Sequence, residues 1–336
     1  MNVAHRSDSK LTESSLVTRI HKSRVVPEGK VGFLLPTFFA EGNPVGAGKN
    51  ISTFSKLAED AGASALWVLD HSLWSIPTLD PLGSLFCAAG ATKNMLVGTS
   101  VLQLPLRSEI IVAKQMATLE ALFDRTPILG VGIGNHKTEF EKLGIDFRSR
   151  SEKFIGQLEN LIKLRDASIE MHSQEPTHSN RYQFSPAFNS PLWIGGRGSR
   201  SLEWTALFGD GWLPHLVNQD KYCSLLRELN EVVEKLGKNT AEIKKGIIMF
   251  GNIATSRSEV DDSVSWVSRI SGIDREKIGK YVFTGSPEQF CDYIKSWIDL
   301  GVDHAIIGIT SNTPIKTLEA LMNEYGNSSK ELRTIQ

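Results

Sequence analysis

Short apolar runs alternate with longer segments of helical period along most of the chain. The first run covers 31–35 and ends at Pro36, and the segment after it places Phe54, Leu57 and Ala58 on one helical face. Further apolar runs occupy 65–69, 96–101, 128–133, 191–194, 210–213, 247–253 and 305–309. Helical segments separate them, so the pattern predicts eight strand-and-helix units. Strands that are apolar almost throughout are typical of parallel strands covered on both faces.

Eight such units over about 290 residues predict an α/β fold, a single (β/α)8 TIM barrel with insertions, whose usual length is about 250 residues. The extra length falls at 166–190 and 254–285, which we expect to be insertions. No linker rich in glycine, proline or serine divides the chain. We therefore predict an N-terminal extension at 1–29, one barrel domain at 30–325 and a C-terminal tail at 326–336.

Composition narrows the class of partner. The 336 residues carry a formal net charge of −1, which gives no reason to expect nucleic acid or an anionic membrane as a partner. The apolar runs fall short of the roughly 20 residues of a membrane span, and 1–29 lacks the apolar region of a secretory signal. Cys87, Cys223 and Cys291 are far apart and odd in number, which favours a reducing, cytoplasmic compartment. We expect a small-molecule substrate and leave monomer and homodimer open.

Polar residues at the ends of the predicted strands are candidates for chemistry, because a barrel of this kind carries its active site at the carboxyl ends of its strands. Asp70 and His71 directly follow the second run, with Trp74 close behind, and residues 100–107 lie at the end of the third predicted strand. A histidine placed there can donate or accept a proton, although a structural histidine bonded to a carbonyl stays an alternative. Glu41, after the first run, is a weaker catalytic candidate.

Two glycine-rich segments also follow predicted strands. Residues 195–199 contain three glycines beside Arg197 and precede a helix, and backbone N–H groups at a helix N-terminus suit a phosphate. A simple turn with solvent-facing arginines is the alternative. Residues 129–135 read G-x-G-x-G and lack the third glycine and the following acid of a dinucleotide site, so we expect these glycines to let a flat ligand approach the backbone. His136 and Glu139 lie one helical turn apart without a third ligand, so no metal site is expected.

Taken in order, several of these segments resemble the bacterial-luciferase-like monooxygenase family, which includes FMN-dependent monooxygenases and oxidoreductases that use the deazaflavin coenzyme F-420. The resemblance covers about 31–322 and lies in WVLDH at 67–71, GTSVL at 98–102, LGVGIG at 129–134, EF at 139–140, PLWIGG at 191–196 and GDGW at 209–212. The order and spacing of these motifs are specific together, and none of them is decisive alone.

The resemblance implies a flavin or deazaflavin across the barrel mouth. Its ring would rest at Ser100-Val101, which is often a non-prolyl cis peptide in the family, and its phosphate chain would run past Gly134 to 195–199. His71 would be a proton donor and Trp74 a wall of the pocket. The cofactor-binding residues implied in this way are Asp70, Thr99, Ser100, Val101, Gly134, Asn135, Gly195, Gly196, Arg197, Gly198 and Ser199.

The expected function is a flavin- or deazaflavin-dependent oxidoreductase acting on a small organic substrate, by oxygenation with FMN or by hydride transfer with F-420. A non-catalytic flavin-binding barrel is the alternative. A non-redox barrel enzyme such as an aldolase is disfavoured, because the strand ends offer no reactive lysine or set of metal ligands. The chain has Asn135 where relatives can carry an aromatic residue or a catalytic glutamate, which argues against the sugar-phosphate dehydrogenase branch.

Overall fold

A computed structural model describes residues 31–39, 44–172, 184–254, 256–311, 313–321 and 323, with the side chains of 167–172 excepted. The predicted N-terminal extension (1–29) and C-terminal tail (326–336) lie outside the described residues, as does Glu41.

The described strands form one parallel sheet that closes on itself. They are β1 (Val31–Leu34), β2 (Ala65–Val68), β3 (Leu96–Thr99), β4 (Leu102–Gln103), β5 (Leu129–Gly132), β6 (Leu192–Gly195), β7 (Gly211–Leu213), β8 (Lys244–Ile253), β9 (Val282–Gly285) and β10 (His304–Ile309). Their neighbour order is β3-β2-β1-β10-β8-β7-β6-β5-β4, with β9 beside β8. β3 and β4 share one barrel position, and a parallel bridge between Gly98 and Ile128 joins β3 to the segment before β5. The ring therefore has the eight positions of the predicted TIM barrel.

Helices cover the outside of this ring. They are α1 (Ala47–Asp60), α2 (Pro81–Ala91), α3 (Glu109–Phe123), α4 (Lys137–Lys142), α5 (Arg150–His172), α6 (Ser199–Phe208), α7 (Gln219–Lys235), α8 (Arg257–Ser271), α9 (Arg275–Ile278) and α10 (Pro287–Asp299). Several begin at a residue whose side chain caps the first turn, as Asp80 does by accepting from the Gly83 N–H at 2.9 Å. Their apolar faces bury residues such as Phe54 and Phe290 against the strands.

Each of the eight predicted apolar runs contains a barrel strand, so the (β/α)8 prediction is confirmed. The third run differs in detail, since it is interrupted at Ser100-Val101 and resumes as β4. The expected insertion at 254–285 contains α8, α9 and β9, and β9 extends the sheet alongside the carboxyl half of β8. The β9 residues are half-buried, which explains why no continuous apolar run announces this strand.

Two large rings fill the middle of the barrel. Trp67 and Trp193 are both fully buried, with ring centroids 5.6 Å apart, and His304 packs edge-on against each. Burial lowers the pKa of His304 to about 4, so it is neutral near pH 7. Neighbouring strands make room with glycines, because a Cβ at Gly98 would lie 2.7 Å from the Trp67 ring and one at Gly211 would lie 2.6 Å from Trp193. Inner glycines and inner tryptophans are therefore complementary.

Replacement of Gly211 with valine should expose this complementarity. The new side chain would overlap the Trp193 ring, and overpacking of a dense core costs about 1–3 kcal/mol of unfolding free energy. Gly156→Ala is the matched control, because it lies in α5 with no neighbouring atom within 4 Å and should leave stability unchanged or raise it by up to about 1 kcal/mol. Urea unfolding measures the unfolding free energy of both variants. A Gly211→Val protein as stable as the wild type would contradict the close packing of Gly211 against the Trp193 ring.

Candidate active site

Three adjacent barrel positions bring their polar residues together at the carboxyl ends of the strands. Asp70 and His71 follow β2, Gln103 ends β4, and Glu139 lies in the first turn of α4, just after β5. Since β2, β3/β4 and β5 are neighbours around the ring, these four side chains meet in one cluster, although more than 60 residues separate the first from the last.

The carboxylate of Glu139 is the centre of this cluster. It is 2 % exposed, and its Oε1 accepts the backbone N–H groups of Ser72 and Leu73, the latter at 3.0 Å. Its Oε2 accepts from Gln103 Nε2 at 3.1 Å and lies 3.2 Å from His71 Nδ1. Burial alone would raise the pKa of Glu139, but the hydrogen bonds from His71, Leu73 and Gln103 together lower it below the ordinary value.

Asp70 is held by a second set of contacts beside the first. Arg107 donates to both of its carboxylate oxygens, from Nη2 at 2.8 Å and from Nε at 3.2 Å, and reaches Asp80 with Nη1 at 3.1 Å. The Gln103 N–H also donates to Asp70 Oδ2 at 2.9 Å. Burial raises the pKa of Asp70, and the hydrogen bonds from Arg107 oppose that shift. Both carboxylate oxygens of Asp70 thus accept hydrogen bonds from other residues of the protein. These bonds fix the backbone beside His71.

The ring of His71 is sandwiched at the edge of this network. It stacks on Trp74 with centroids 3.7 Å apart and an interplanar angle of 24°. Trp74 in turn meets His136 edge-on at 4.1 Å, and another neighbour of the His136 ring is Gly272, just after α8, where a Cβ would lie 3.5 Å from the ring. Burial and the nearby His71 lower the pKa of His136. Stacking on one side and Glu139 on another leave little freedom for the His71 ring.

Beside this cluster the site has a floor made of backbone. A Cβ at Gly132 would lie 2.6 Å from Val101 Cγ2, and one at Gly195 would lie 2.8 Å from Val101 Cγ1, so the half-buried Val101 rests directly on two glycines. Gly134 has a φ of 74°, and a Cβ there would lie 2.7 Å from Gln103 Oε1. That buried oxygen has no hydrogen-bond partner among the described residues. A low floor with an unpaired acceptor fits a flat ligand that carries an N–H group.

The loop between β6 and α6 is built as a turn that exposes backbone. Gly196 has a φ of 143°, and a Cβ there would lie 2.6 Å from Ser201, whose hydroxyl donates to the Gly198 carbonyl at 2.6 Å. Arg197 is exposed, but its Nη1 donates to the Leu216 carbonyl. This hydrogen bond joins the loop after β6 to the loop after β7. The Ser201 N–H donates to the Gly198 carbonyl at 2.8 Å, which leaves the N–H groups of Ser199 and Arg200 at the start of α6 without an intrahelical partner. Both residues are exposed.

The residues predicted from the sequence fall into distinct groups. His71 and Trp74 lie together at the strand ends, and the Ser100-Val101 peptide bond is cis, as predicted. Thr99, in contrast, is fully buried and its hydroxyl donates to the Gly130 carbonyl at 2.6 Å, so it holds strands together. Asn135 is exposed.

Sequence reasoning missed the roles of Gln103, Arg107 and Glu139. Gln103 and Arg107 lie in the segment 100–107 at the end of the third predicted strand, so their position was visible although their partners were not. From the sequence, Glu139 is a possible metal ligand beside His136 and part of the EF motif at 139–140. Neither observation predicts its contact with His71, which lies 68 residues away.

The described residues can be compared with the requirements of a metal site and of a membrane-spanning helix. Within those ranges no group of three or more His, Cys, Asp or Glu side chains is arranged to hold a metal ion. None of the helices in the described part of the chain has the length and apolarity needed to cross a membrane.

Acid titration should reveal the buried carboxylate. Because the folded-state pKa of Glu139 lies below its ordinary value of 4.5, its carboxylate contributes stability above about pH 4.5 that is lost as the pH falls through the folded-state pKa. We expect the unfolding free energy of the wild type to fall more steeply in this acid range than that of Glu139→Gln. Glu141→Gln, exposed on the same helix and paired with Lys137, should keep the wild-type slope. Equal slopes in wild type and Glu139→Gln, measured by urea unfolding, would contradict the geometry.

Comparison with known proteins identifies relatives with this fold. The chain is 21 % identical over 321 aligned positions to a phthiodiolone/phenolphthiodiolone dimycocerosates ketoreductase of Mycobacterium kansasii, covering 73 % of this chain and 87 % of that protein. It is 24 % identical over 192 positions to a 5,10-methylenetetrahydromethanopterin reductase of Archaeoglobus fulgidus, covering 55 % of each.

Solved structures agree on the architecture. An F-420-dependent secondary alcohol dehydrogenase superposes with a TM-score of 0.70 at 16 % identity, over 88 % of this chain and 98 % of that one. A monooxygenase from Streptomyces bottropensis gives 0.69 at 15 % identity, over 89 % and 98 %.

The family model for luciferase-like monooxygenases matches residues 30–293. The match confirms the expected family and oxidoreductase class, and the chain belongs to the luciferase-like monooxygenase family.

Proposed function

We propose that this protein is an F-420-dependent oxidoreductase that transfers a hydride between its cofactor and the carbon of a small ketone or secondary alcohol. The observation that carries the proposal is His71, which lies at the mouth of the barrel with Nδ1 against the buried Glu139 carboxylate at 3.2 Å. That contact leaves Nε2 for a substrate oxygen. Reduction of a carbonyl by hydride also needs a proton on the oxygen, and a positioned histidine supplies one.

The relatives support hydride transfer over oxygenation. A ketoreductase and a methylenetetrahydromethanopterin reductase are among the proteins similar in sequence, and an F-420-dependent secondary alcohol dehydrogenase is among those similar in structure. All three descriptions are of reductases or dehydrogenases. A monooxygenase superposes as well as the dehydrogenase does, so the preference for hydride transfer rests on the two proteins similar in sequence. Cys87, Cys223 and Cys291 are thiols rather than disulfides, which supports a reducing compartment such as the cytoplasm.

The residues present fit a bound deazaflavin. The floor formed by Gly132, Gly195 and Val101 would support the ring, and the unpaired Gln103 Oε1 would accept a hydrogen bond from a ring N–H. The exposed N–H groups at the start of α6 would hold the phosphate, since a helix N-terminus attracts anions.

In this proposal the cofactor, His71 and Trp74 have separate roles in the reaction. Bound reduced F-420 supplies the hydride that becomes the new C–H bond. His71 donates the proton from Nε2 to the carbonyl oxygen, and in the reverse direction it takes the hydroxyl proton back. Trp74 keeps the imidazole plane fixed by stacking, at 3.7 Å between centroids, and the two rings together form one wall of the pocket. The substrate carbon must therefore lie between this wall and the backbone floor.

Replacement of His71 with alanine tests the proton role. We expect F-420 affinity to stay within a few-fold while turnover of ketone with reduced F-420 falls by roughly 10²–10⁴, the usual range for a positioned acid or base. Cofactor binding is measured by fluorescence titration, and turnover is measured by the return of the F-420 absorbance with acetone and larger ketones. Unchanged turnover in His71→Ala would make His71 structural.

The same assays decide between the cofactors. Wild-type protein should bind F-420 more tightly than FMN. With reduced FMN, oxygen and substrate it should form no oxygenated product and should consume no more oxygen than reduced FMN does without protein. Oxygen consumption coupled to product formation would point to an FMN-dependent monooxygenase. Binding of either cofactor without turnover of any substrate would favour a non-catalytic flavin-binding barrel.

Replacements in the loop after β6 test the phosphate site. Gly198→Val should place a side chain over the exposed N–H groups without strain, because Gly198 has an extended backbone and nothing within 4 Å of a Cβ. A charge-assisted hydrogen bond is worth about 1.5–3 kcal/mol, so losing one should weaken cofactor binding roughly 10- to 150-fold. Ser199→Ala tests the hydroxyl in the same way. Arg197→Ala should matter less, because its guanidinium is already bonded to the Leu216 carbonyl.

A cofactor without its phosphate provides the control. The corresponding deazaflavin lacking the phosphate arm, or riboflavin for FMN, should bind the wild type more weakly and should be nearly indifferent to Ser199→Ala and Gly198→Val. Equal losses for the phosphorylated and dephosphorylated forms would assign the effect to the ring pocket and would leave the loop as a plain turn.

A further inference from the structure

Hydrogens in the Glu139 cluster can be counted one by one. The amide nitrogen of Gln103 carries two hydrogens, and it contacts three acceptors: the Asp70 carbonyl at 3.0 Å, Glu139 Oε2 at 3.1 Å and His71 Nδ1 at 3.4 Å. The two shorter contacts use both hydrogens. Because the first two partners are oxygens that can only accept, Gln103 has no hydrogen left for Nδ1.

The hydrogen between His71 and Glu139 must therefore belong to the imidazole. Nδ1 lies 3.2 Å from an ionised carboxylate, which has lone pairs and no donor. An Nδ1 without a hydrogen would place its lone pair against those of Oε2, inside a site where Glu139 is 2 % exposed. The neutral imidazole in this site is consequently the tautomer with hydrogen on Nδ1 and a lone pair on Nε2.

Stacking does not explain this preference. Trp74 fixes the plane of the His71 ring at an interplanar angle of 24°, but a ring turned over in that plane would stack equally well. His136 meets His71 edge-on at 5.9 Å, and Asp70 is engaged by Arg107, so neither provides a second acceptor for Nδ1. Glu139 is the partner that distinguishes Nδ1 from Nε2.

We propose that Glu139 is a positioning residue, which fixes His71 as the Nδ1–H tautomer and directs Nε2 to the reacting oxygen. The catalytic half of this inference rests on the proposed function, whereas the tautomer is a property of the protein without cofactor. In the neutral tautomer, Nε2 can accept the proton of a substrate hydroxyl. In the protonated ring, Nε2–H is the donor for a carbonyl oxygen. Glu139 does not touch the substrate and acts through His71.

Glu139→Gln should invert the tautomer while keeping the loop in place. Its amide oxygen can still accept the N–H groups of Ser72 and Leu73. Its NH2 replaces Oε2 and donates to Nδ1, while the hydrogen bond from Gln103 Nε2 to that position is lost. The hydrogen of the neutral imidazole is thereby moved to Nε2. Long-range ¹H–¹⁵N correlation NMR of histidine-labelled protein, without cofactor and at a pH where the ring is neutral, reads the tautomer directly. His71→Ala assigns the signal.

The expected spectra are an Nδ1–H pattern for the wild type and an Nε2–H pattern, or a mixture rich in it, for Glu139→Gln. Glu139→Asp keeps a carboxylate and should retain Nδ1–H in part. Glu141→Gln is the matched control, since Glu141 is exposed on the same helix and pairs with Lys137 at 3.0 Å, and it should give the wild-type spectrum. A wild-type Nε2–H pattern, or an unchanged pattern in a folded Glu139→Gln protein, would overturn the proposal.

Kinetics separate this inference from the function on which it rests. We expect Glu139→Gln to lower kcat for alcohol oxidation at least 10-fold with KM changed less than threefold, and Glu139→Asp to recover part of the loss. If Glu139→Gln inverts the tautomer but His71→Ala leaves turnover intact, the positioning stands and the proposed proton role fails. If His71→Ala abolishes turnover while Glu139→Gln keeps both tautomer and kcat, the positioning fails and the proton role stands. Should Glu139→Gln not fold, the wild-type and Glu139→Asp spectra decide the question.

Discussion

The close approach of glycine backbone to two tryptophan rings is the constraint on which the barrel depends. Trp67 and Trp193 occupy the interior with their centroids 5.6 Å apart, and Cβ atoms on the neighbouring strands at Gly98 and Gly211 would overlap them. Because these rings and His304 fill the middle of the ring of strands, the interior is a packed core and not a channel. Space for a ligand remains only beyond the carboxyl ends of the strands, and the polar residues collect there.

At that end the buried carboxylate of Glu139 holds the loops together. Glu139 accepts hydrogen bonds from the loop after β2 and from the last residue of β4, and it lies on the helix after β5. Three barrel positions are thus tied to one side chain. Such a polar centre is stable in a low-dielectric setting only when its acceptors are satisfied, and the lowered pKa of Glu139 reflects that its oxygens are. The same contacts that hold the loops also set the orientation of His71.

The fold was predictable because its barrel strands are mostly apolar, and each apolar run overlaps a barrel strand. β9 was not, because its four residues are only half-buried and it pairs with β8 outside the ring. For the site, His71 and Trp74 could be singled out by their position after an apolar run. Glu139 could not, because an acid in the first turn of a helix is also what solvent-exposed helix starts favour. The role of Glu139 depends on the closure of the barrel, which brings α4 next to the loop after β2. That contact joins residues 68 positions apart, so no local sequence pattern encodes it.

The insertion between β8 and β10 reaches the same place by another route. The ring of His136 lies beside the end of α8 and meets Trp74 edge-on at 4.1 Å. Gly272 follows with a φ of 66°, a backbone conformation that disfavours larger residues, and a Cβ there would come within 3.5 Å of the His136 ring. The chain therefore runs in physical contact from the insertion through His136 and Trp74 to His71. The packing of α8 is thus connected to the stacked rings of Trp74 and His71, and the insertion belongs to the surroundings of the site.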